Sequence, residues 1–139
     1  MNPVLILDCS VTMTWLFEQE LTSQTANILD RLDREAALVP TLWFLEVTNV
    51  VALAERKGRI TIAESSKFLN DLALLKIEDD AEAPERSFDE LLPLCRTHQL
   101  TSYDAVYLEL AVRRKLPLAT LDEPLRKAAK KLGVKLLGK

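Results

Sequence analysis

The sequence predicts an α/β fold built on a central, mainly parallel sheet of about five short strands. Residues 4–7 (Val-Leu-Ile-Leu) form an unbroken apolar run that ends in Asp8. Residues 118–121 form a second short, largely apolar run that ends the same way, in Asp122. Between these two runs, helical periodicities alternate with further short apolar stretches. A short run apolar throughout reads as a strand buried on both faces, which belongs in a parallel sheet covered by helices. Ligands of such sheets bind beyond the carboxyl ends of the strands. Asp8 and Asp122 therefore stand where a functional group is expected.

Ser10 is expected to cap a short helix over residues 11–17, and Thr22 or Ser23 a second one reaching about Arg34. Residues 36–39 read as a buried strand closed by Pro40. A long helical pattern covers 42–57, with Trp43, Val47, Val50, Val51 and Ala54 on its apolar faces and Gly58 at its end. Thr61 and Glu64 have the spacing of a capping box and open a helix to about Leu75, which makes a helical hairpin. Residues 75–78 are a weak strand candidate ahead of the acidic run Glu78-Asp79-Asp80. Pro84 suits the first turn of a helix that ends near His98. Residues 101–115 form another, with Ala105, Leu108, Ala111 and Val112 inward, and Pro117 stops it. Glu123-Pro124 opens a last helix, Gly133 ends it, and 134–137 is the final strand.

Size and composition narrow the class. A chain of 139 residues, 48% hydrophobic and 28% charged, is expected to be one domain over 1–139, not a disordered polymer. No window approaches the roughly 18 uninterrupted apolar residues of a membrane span, so no membrane role is expected. Asp8 interrupts the first apolar run too early for a signal peptide. Cys9 and Cys95 lack metal-type spacing and are expected to stay reduced, in a cytoplasmic protein. The net charge of −3 hides an asymmetry, since residues 113–139 hold nine Lys/Arg against two Asp/Glu. A basic end on an acidic body suits a polyanion or an acidic partner. The competing reading is a solvated helix face, above all for Arg126, Lys127, Lys130 and Lys131.

Four acids carry the functional reading. Asp8 and Asp122 end strands, Glu46 lies in the first turns of a helix that follows a strand, and Asp104 begins a helix after a loop. A parallel topology brings all four to one edge. Each also has a structural explanation: Asp122 as an N-cap, Asp104 as the partner of Thr101 in a capping box, Glu46 as a complement to the helix dipole. Ser10 and Asn49 are candidates for orienting the acids or their waters, Asn49 because it follows Glu46 by three residues. His98, the sole histidine, falls at a helix end and is left outside the site.

Four segments resemble the PIN domain, specifically the VapC type of toxin ribonuclease from type II toxin–antitoxin systems. They are Leu-Ile-Leu-Asp-Cys-Ser-Val from Leu5, Pro-Thr-Leu-Trp-Phe-Leu-Glu-Val-Thr-Asn from Pro40, Tyr-Asp-Ala-Val-Tyr-Leu-Glu-Leu-Ala from Tyr103, and Leu-Ala-Thr-Leu-Asp-Glu-Pro-Leu from Leu118. Their order and spacing match along nearly the whole chain. The resemblance implies a three-layer α/β/α fold. It also implies that Asp8, Glu46, Asp104 and Asp122 line one pocket that binds Mg2+ or Mn2+, with Thr120 as a polar neighbour. It further implies an RNA substrate, a homodimer and a cognate VapB-type antitoxin. Trp15, Leu16, Phe17 and Leu53 are then candidates for partner surfaces, and Trp15, if exposed, for stacking on a base.

Phosphodiester hydrolysis explains why such residues would gather. Carboxylates hold hard divalent cations through oxygen, and such a cation activates water and offsets charge growing on the phosphate. Two carboxylates about 5 Å apart repel by roughly 3 kcal/mol at an effective dielectric near 20. Four acids without a cation must be partly protonated or splayed apart. The leading expectation is a metal-dependent endoribonuclease toxin. A catalytically silent PIN-like module that holds RNA or protein is the alternative, and a phosphatase using Asp8 as nucleophile is weaker still, because Ser10 stands where a second Asp would be wanted.

Overall fold

The computed structural model describes residues 2–139. The first strand, β1 (Pro3–Leu7), is followed by a short helix α1 (Cys9–Thr12) and 3₁₀ turns at Met13–Trp15 and Glu18–Glu20. Helix α2 (Ser23–Arg31) leads into β2 (Ala36–Pro40), which is buried along its whole length. The hairpin α3 (Leu42–Arg56) and α4 (Ile62–Ala73) precedes β3 (Ile77–Asp80). Then come α5 (Ala83–Arg86), a π-helical turn at Ser87–Leu91, α6 (Leu92–His98) and α7 (Ser102–Arg114). Strand β4 (Leu118–Ala119), α8 (Glu123–Lys131) and β5 (Leu136–Leu137) complete the chain.

The strands form one sheet in the order β3-β2-β1-β4-β5, and every pair is parallel. The chain first moves outward from β1 to β3 and then returns to β1's other side with β4, where Ile6 faces Leu118 and Leu7 faces Ala119. This reversal is a topological switch point, and Asp8 leaves the sheet there. Leu5, Ile6 and Leu7 have no exposed surface, as a strand covered on both faces requires. Helix α7 packs across β1, β2 and β4 and is buried continuously from Ala105 to Ala111.

Several local signals act as expected. Thr22 and Thr25 close a capping box, and so do Thr61 and Glu64. Gly58 takes φ +74° and Gly133 φ +75°, the left-handed conformation that ends a helix and that only glycine adopts without strain. Trp43 and Tyr107 are core residues, whereas Tyr103 is 61% exposed.

Other expectations are corrected. Ser10 does not cap α1; Asp8 occupies the N-cap position, and the Ser10 hydroxyl turns to the Asp8 carboxylate instead. Strand β3 lies two residues later than its apolar run suggested and includes the acidic stretch. It is an edge strand whose backbone pairs with β2 while Glu78 and Asp79 stay in solvent, so burial leaves no pattern there. The helix expected from Pro84 to near His98 runs without a gap over 83–98, but it is not α throughout. Pro93 has no N–H to give the preceding turn, and the backbone widens into a π turn ahead of it. Val112 is 46% exposed, because Tyr107, Leu110 and Ala111 occupy the core side of α7. Phe17 is buried under the Arg59 guanidinium, 4.0 Å from the ring centroid, and offers no partner surface. Trp15 is half-buried and donates its indole N–H to the Thr25 carbonyl. The most exposed apolar side chains of the hairpin are Leu45, Ile62 and Leu74 instead.

Candidate active site

All four acids reach the carboxyl edge of the sheet, each on a different element. Asp8 follows β1, Glu46 lies in the second turn of α3 after β2, Asp104 is in the first turn of α7, and Asp122 caps α8 after β4. Asp8 is the deepest, 6% exposed, while the other three are half-buried.

The hydroxyls around Asp8 explain how a carboxylate tolerates that depth. Ser10 Oγ donates to Asp8 Oδ2 at 2.6 Å, and Thr120 Oγ1 donates to the same oxygen at 2.7 Å. Both hydroxyls are held in turn by backbone donors. Leu121 N–H donates to Ser10 Oγ at 2.9 Å, and Asp122 N–H to Thr120 Oγ1 at 3.1 Å. The turn after β4 thus aims two side chains at Asp8 while it positions Asp122. Arg126 fixes that turn from behind, donating to the carbonyls of Thr120 and Leu137 at 2.7 and 3.0 Å. Gly138, at φ +110°, passes so close that a Cβ there would lie 3.2 Å from the Thr120 carbonyl oxygen.

The structural roles weighed against the acids turn out to coexist with the site or to be incomplete. Asp122 does cap α8, accepting from Leu125 N–H through Oδ2, and its charge still bears on Asp8 and Asp104. Thr101 accepts from Asp104 N–H at 3.2 Å, but the return bond of a capping box is missing. The Asp104 carboxyl is therefore not tied back to the Thr101 backbone. Asn49 is exposed on α3 and hydrogen-bonds to none of the acids. His98 lines a groove beside α8 and takes no part in this cluster.

Tyr107 also reaches the site, where the sequence had not placed it. It follows Asp104 by one helical turn, has no exposed surface, and donates its phenol to Glu46 Oε1 at 2.5 Å. The available signal was chemical: a tyrosine on a fully buried helix face must find an acceptor for its hydroxyl. Burial, then the charges of Asp8 and Glu46, hold that phenol protonated well above its ordinary range.

Burial first, and like charge after it, raises the carboxyls of the site. Burial pushes the Asp8 carboxyl up, its two hydroxyl donors oppose that, and Asp122 pushes it further. Glu46 rises to about 7, through burial first and then through Asp8 and Asp104, with the Tyr107 phenol opposing. Asp104 rises to about 6, through burial and then through Asp122 and Asp8. No lysine or arginine offsets any of these shifts. Cys9, beside Asp8, is pushed up to about 12 by burial and by Glu46 and Asp8, so it is an unreactive thiol. Among the described residues no three acidic, histidine or cysteine side chains close around a single point. Raised carboxyls that stand apart are what an uncompensated cluster must show. The donors are all carboxylate or hydroxyl oxygen, which suits a hard divalent cation.

A parallel sheet with acids gathered beyond the carboxyl ends of its central strands defines the class of protein. The PIN domain profile matches residues 5–131, a span that takes in all four acids, and the chain belongs to that family, whose members are nucleases generally dependent on a divalent metal. Among solved structures, PAE2754 from Pyrobaculum aerophilum is similar with a TM-score of 0.70 and 24% identity, over 96% of this chain and 83% of that one. FitAcB from Neisseria gonorrhoeae gives 0.67 and 20%, over 96% of each chain. VapBC2 from Rickettsia felis, bound to a DNA fragment from their promoter, gives 0.64 and 14%, also over 96% of each. These likenesses show the shared fold. No curated protein matches the sequence.

Proposed function

We propose that the protein is a metal-dependent endoribonuclease toxin of the VapBC kind. The observation that carries this reading is the meeting of Asp8, Glu46, Asp104 and Asp122 at one sheet edge with no cationic side chain to offset them. Keeping such a cluster costs stability, and a site for Mg2+ or Mn2+ accounts for that cost. When bound, the cation activates water and offsets negative charge on the phosphate.

The chain's own residues do the positioning. Asp8, Glu46, Asp104 and Asp122 would hold the cation through oxygen. Ser10 and Thr120 fix the rotamer of Asp8 by sharing its Oδ2. Tyr107 fixes Glu46 against α7. Asn49, one turn beyond Glu46, is available to incoming substrate. The products would carry a 5′-phosphate and a 3′-hydroxyl. The likeness to FitAcB and VapBC2 supports a VapB-type antitoxin as partner, while a second copy of the chain and a cytoplasmic setting rest on the family resemblance and the sequence.

Cleavage of RNA by the purified protein tests this, with Mg2+, with Mn2+ and with EDTA, beside Asp8→Asn. Cleavage should require a divalent cation and disappear in the variant. The cation should also raise the melting temperature, and Asp8→Asn should weaken that rise. RNA binding and growth arrest that persist in Asp8→Asn would instead support the silent binding module.

A further inference from the structure

A concavity of about 910 Å³ lies not among the acids but beside them, between the C-terminal end of α6 and the outer face of α8. One wall is formed by His98 and Gln99, the other by Glu123, Lys127, Lys130 and Lys131. Each wall runs directly into an acid of the site. Beyond Gln99 the chain enters α7 at Thr101, where Asp104 lies in the first turn, and Glu123 follows Asp122. Asp122 bears electrostatically on Asp104, so the acids that lie beyond the two walls are neighbours.

Its charge is unspent. Lys127, Lys130 and Lys131 are exposed, fall at i, i+3 and i+4 on one face of α8, and pair with no carboxylate among the described residues. The single carboxylate of the lining, Glu123, is already matched by Lys139. Two other basic residues of this end of the chain are engaged elsewhere. Arg113 is committed to Asp80, Glu82 and Glu109, and Arg126 to backbone carbonyls. At 1.5 Å of rise per residue, the lysines begin about 7.5 Å along the helix from Asp122 and end about 13.5 Å from it. That is a row of cations leading away from the acid pocket.

We infer that this groove is the track for the phosphates of single-stranded RNA flanking the scissile bond, with Lys127, Lys130 and Lys131 as its cations. The inference rests on the nuclease reading and locates the substrate on it. It also resolves how an acidic protein holds a polyanion: the net charge is negative, but the wall beside the site is not. Lysines supply phosphate attraction without sequence readout, so the groove would set affinity and leave base choice to other contacts.

Anisotropy of a fluorescein-labelled single-stranded oligoribonucleotide, measured in EDTA over a series of NaCl concentrations, tests this. In K127Q/K130Q/K131Q the slope of log affinity against log salt should become shallower by about 2, which corresponds to a loss of roughly a hundredfold at about 0.1 M salt. K127R/K130R/K131R should restore binding, and the charge-matched control R56Q/K57Q/K67Q, on the helical hairpin, should bind like the parent. Unchanged affinity and slope in the lysine triple variant, with Asp8-dependent cleavage intact, would overturn the groove and leave the nuclease standing. Loss confined to duplex DNA of the same length would overturn the RNA assignment. Groove-dependent RNA binding without any Asp8-dependent cleavage would instead sink the nuclease reading.

Discussion

The Tyr107 phenol donates to Glu46 Oε1, so α7 holds two of the four acids, Asp104 through its own backbone and Glu46 across the interface with α3. A helix buried from Ala105 to Ala111 cannot shift without cost, which makes the spacing of these acids a property of the core. The phenol also lowers the Glu46 carboxyl against burial. Tyr107→Phe should therefore keep the fold but raise the Glu46 carboxyl above its cation-free value of about 7, and so move the acid limb of the pH–rate profile upward. An unchanged profile with reduced activity would mean that Tyr107 acts through packing alone.

Thr120 has no exposed surface and links Asp8 to the turn that carries Asp122. Thr120→Val preserves its shape but strips Asp8 Oδ2 of a donor and the Asp122 N–H of its acceptor. A loss of about 2 kcal/mol is expected, with a larger fall in cleavage than in stability. Thr120→Ser keeps the hydroxyl and should recover most of both. Ser10→Ala, at a half-buried position, should cost less. Denaturant titration and cleavage rates on the three variants check the order.

Raised carboxyls make the cation-free protein less stable as pH rises. Glu46 and Asp104 keep protons in the folded state up to about 7 and about 6, whereas the unfolded chain loses them near 4.5 and 3.8. The folded state thus binds more protons across this window, and stability falls through it toward neutrality. Glu46→Gln and Asp104→Asn should each raise the melting temperature in EDTA at about pH 8, by the equivalent of about 1 kcal/mol after solvent screening. The gain should vanish near pH 4. Saturating Mg2+ should reverse the ranking at pH 8, because only the parent keeps all its ligands.

Arg113 was grouped by sequence with the basic C-terminal region, yet it serves stability. Its guanidinium meets Asp80 at 2.9 Å, Glu82 at 2.8 Å and Glu109 at 2.9 Å, and so ties the edge strand β3 and the start of α5 to α7. Its side chain is 16% exposed, and those of Asp80 and Glu109 are each 9% exposed. Arg113→Met would strand the nearly buried Asp80 carboxylate and leave Glu109 only Arg86 at 3.7 Å, and should cost about 3 kcal/mol. RNA affinity at a permissive temperature should not change. Urea unfolding beside anisotropy separates the two effects.

The sheet was legible because its central strands are buried on both faces and so are apolar at every position. Edge strand β3 was misplaced for the converse reason: its partner is β2's backbone, and backbone pairing leaves no mark on residue type. The acids were legible as residues at strand and helix ends, but their alternative roles were not separable there. An N-cap and a site acid look identical in one dimension, and Asp122 is both.

By itself the sequence determined that strands ending in Asp8 and Asp122 would lie in a parallel sheet, since hydrophobic periodicity is a local property. Only the tertiary structure decided which side chains face one another. Ser10 and Thr120 meet on a single oxygen of Asp8 from 110 residues apart, and Tyr107 reaches Glu46 across 61. Arg113 spends its charge on β3, while Lys127, Lys130 and Lys131 keep theirs beside the acids. The reason is physical: a hydrogen bond or an ion pair depends on distances of a few ångströms, and those are set by how helices settle on the sheet.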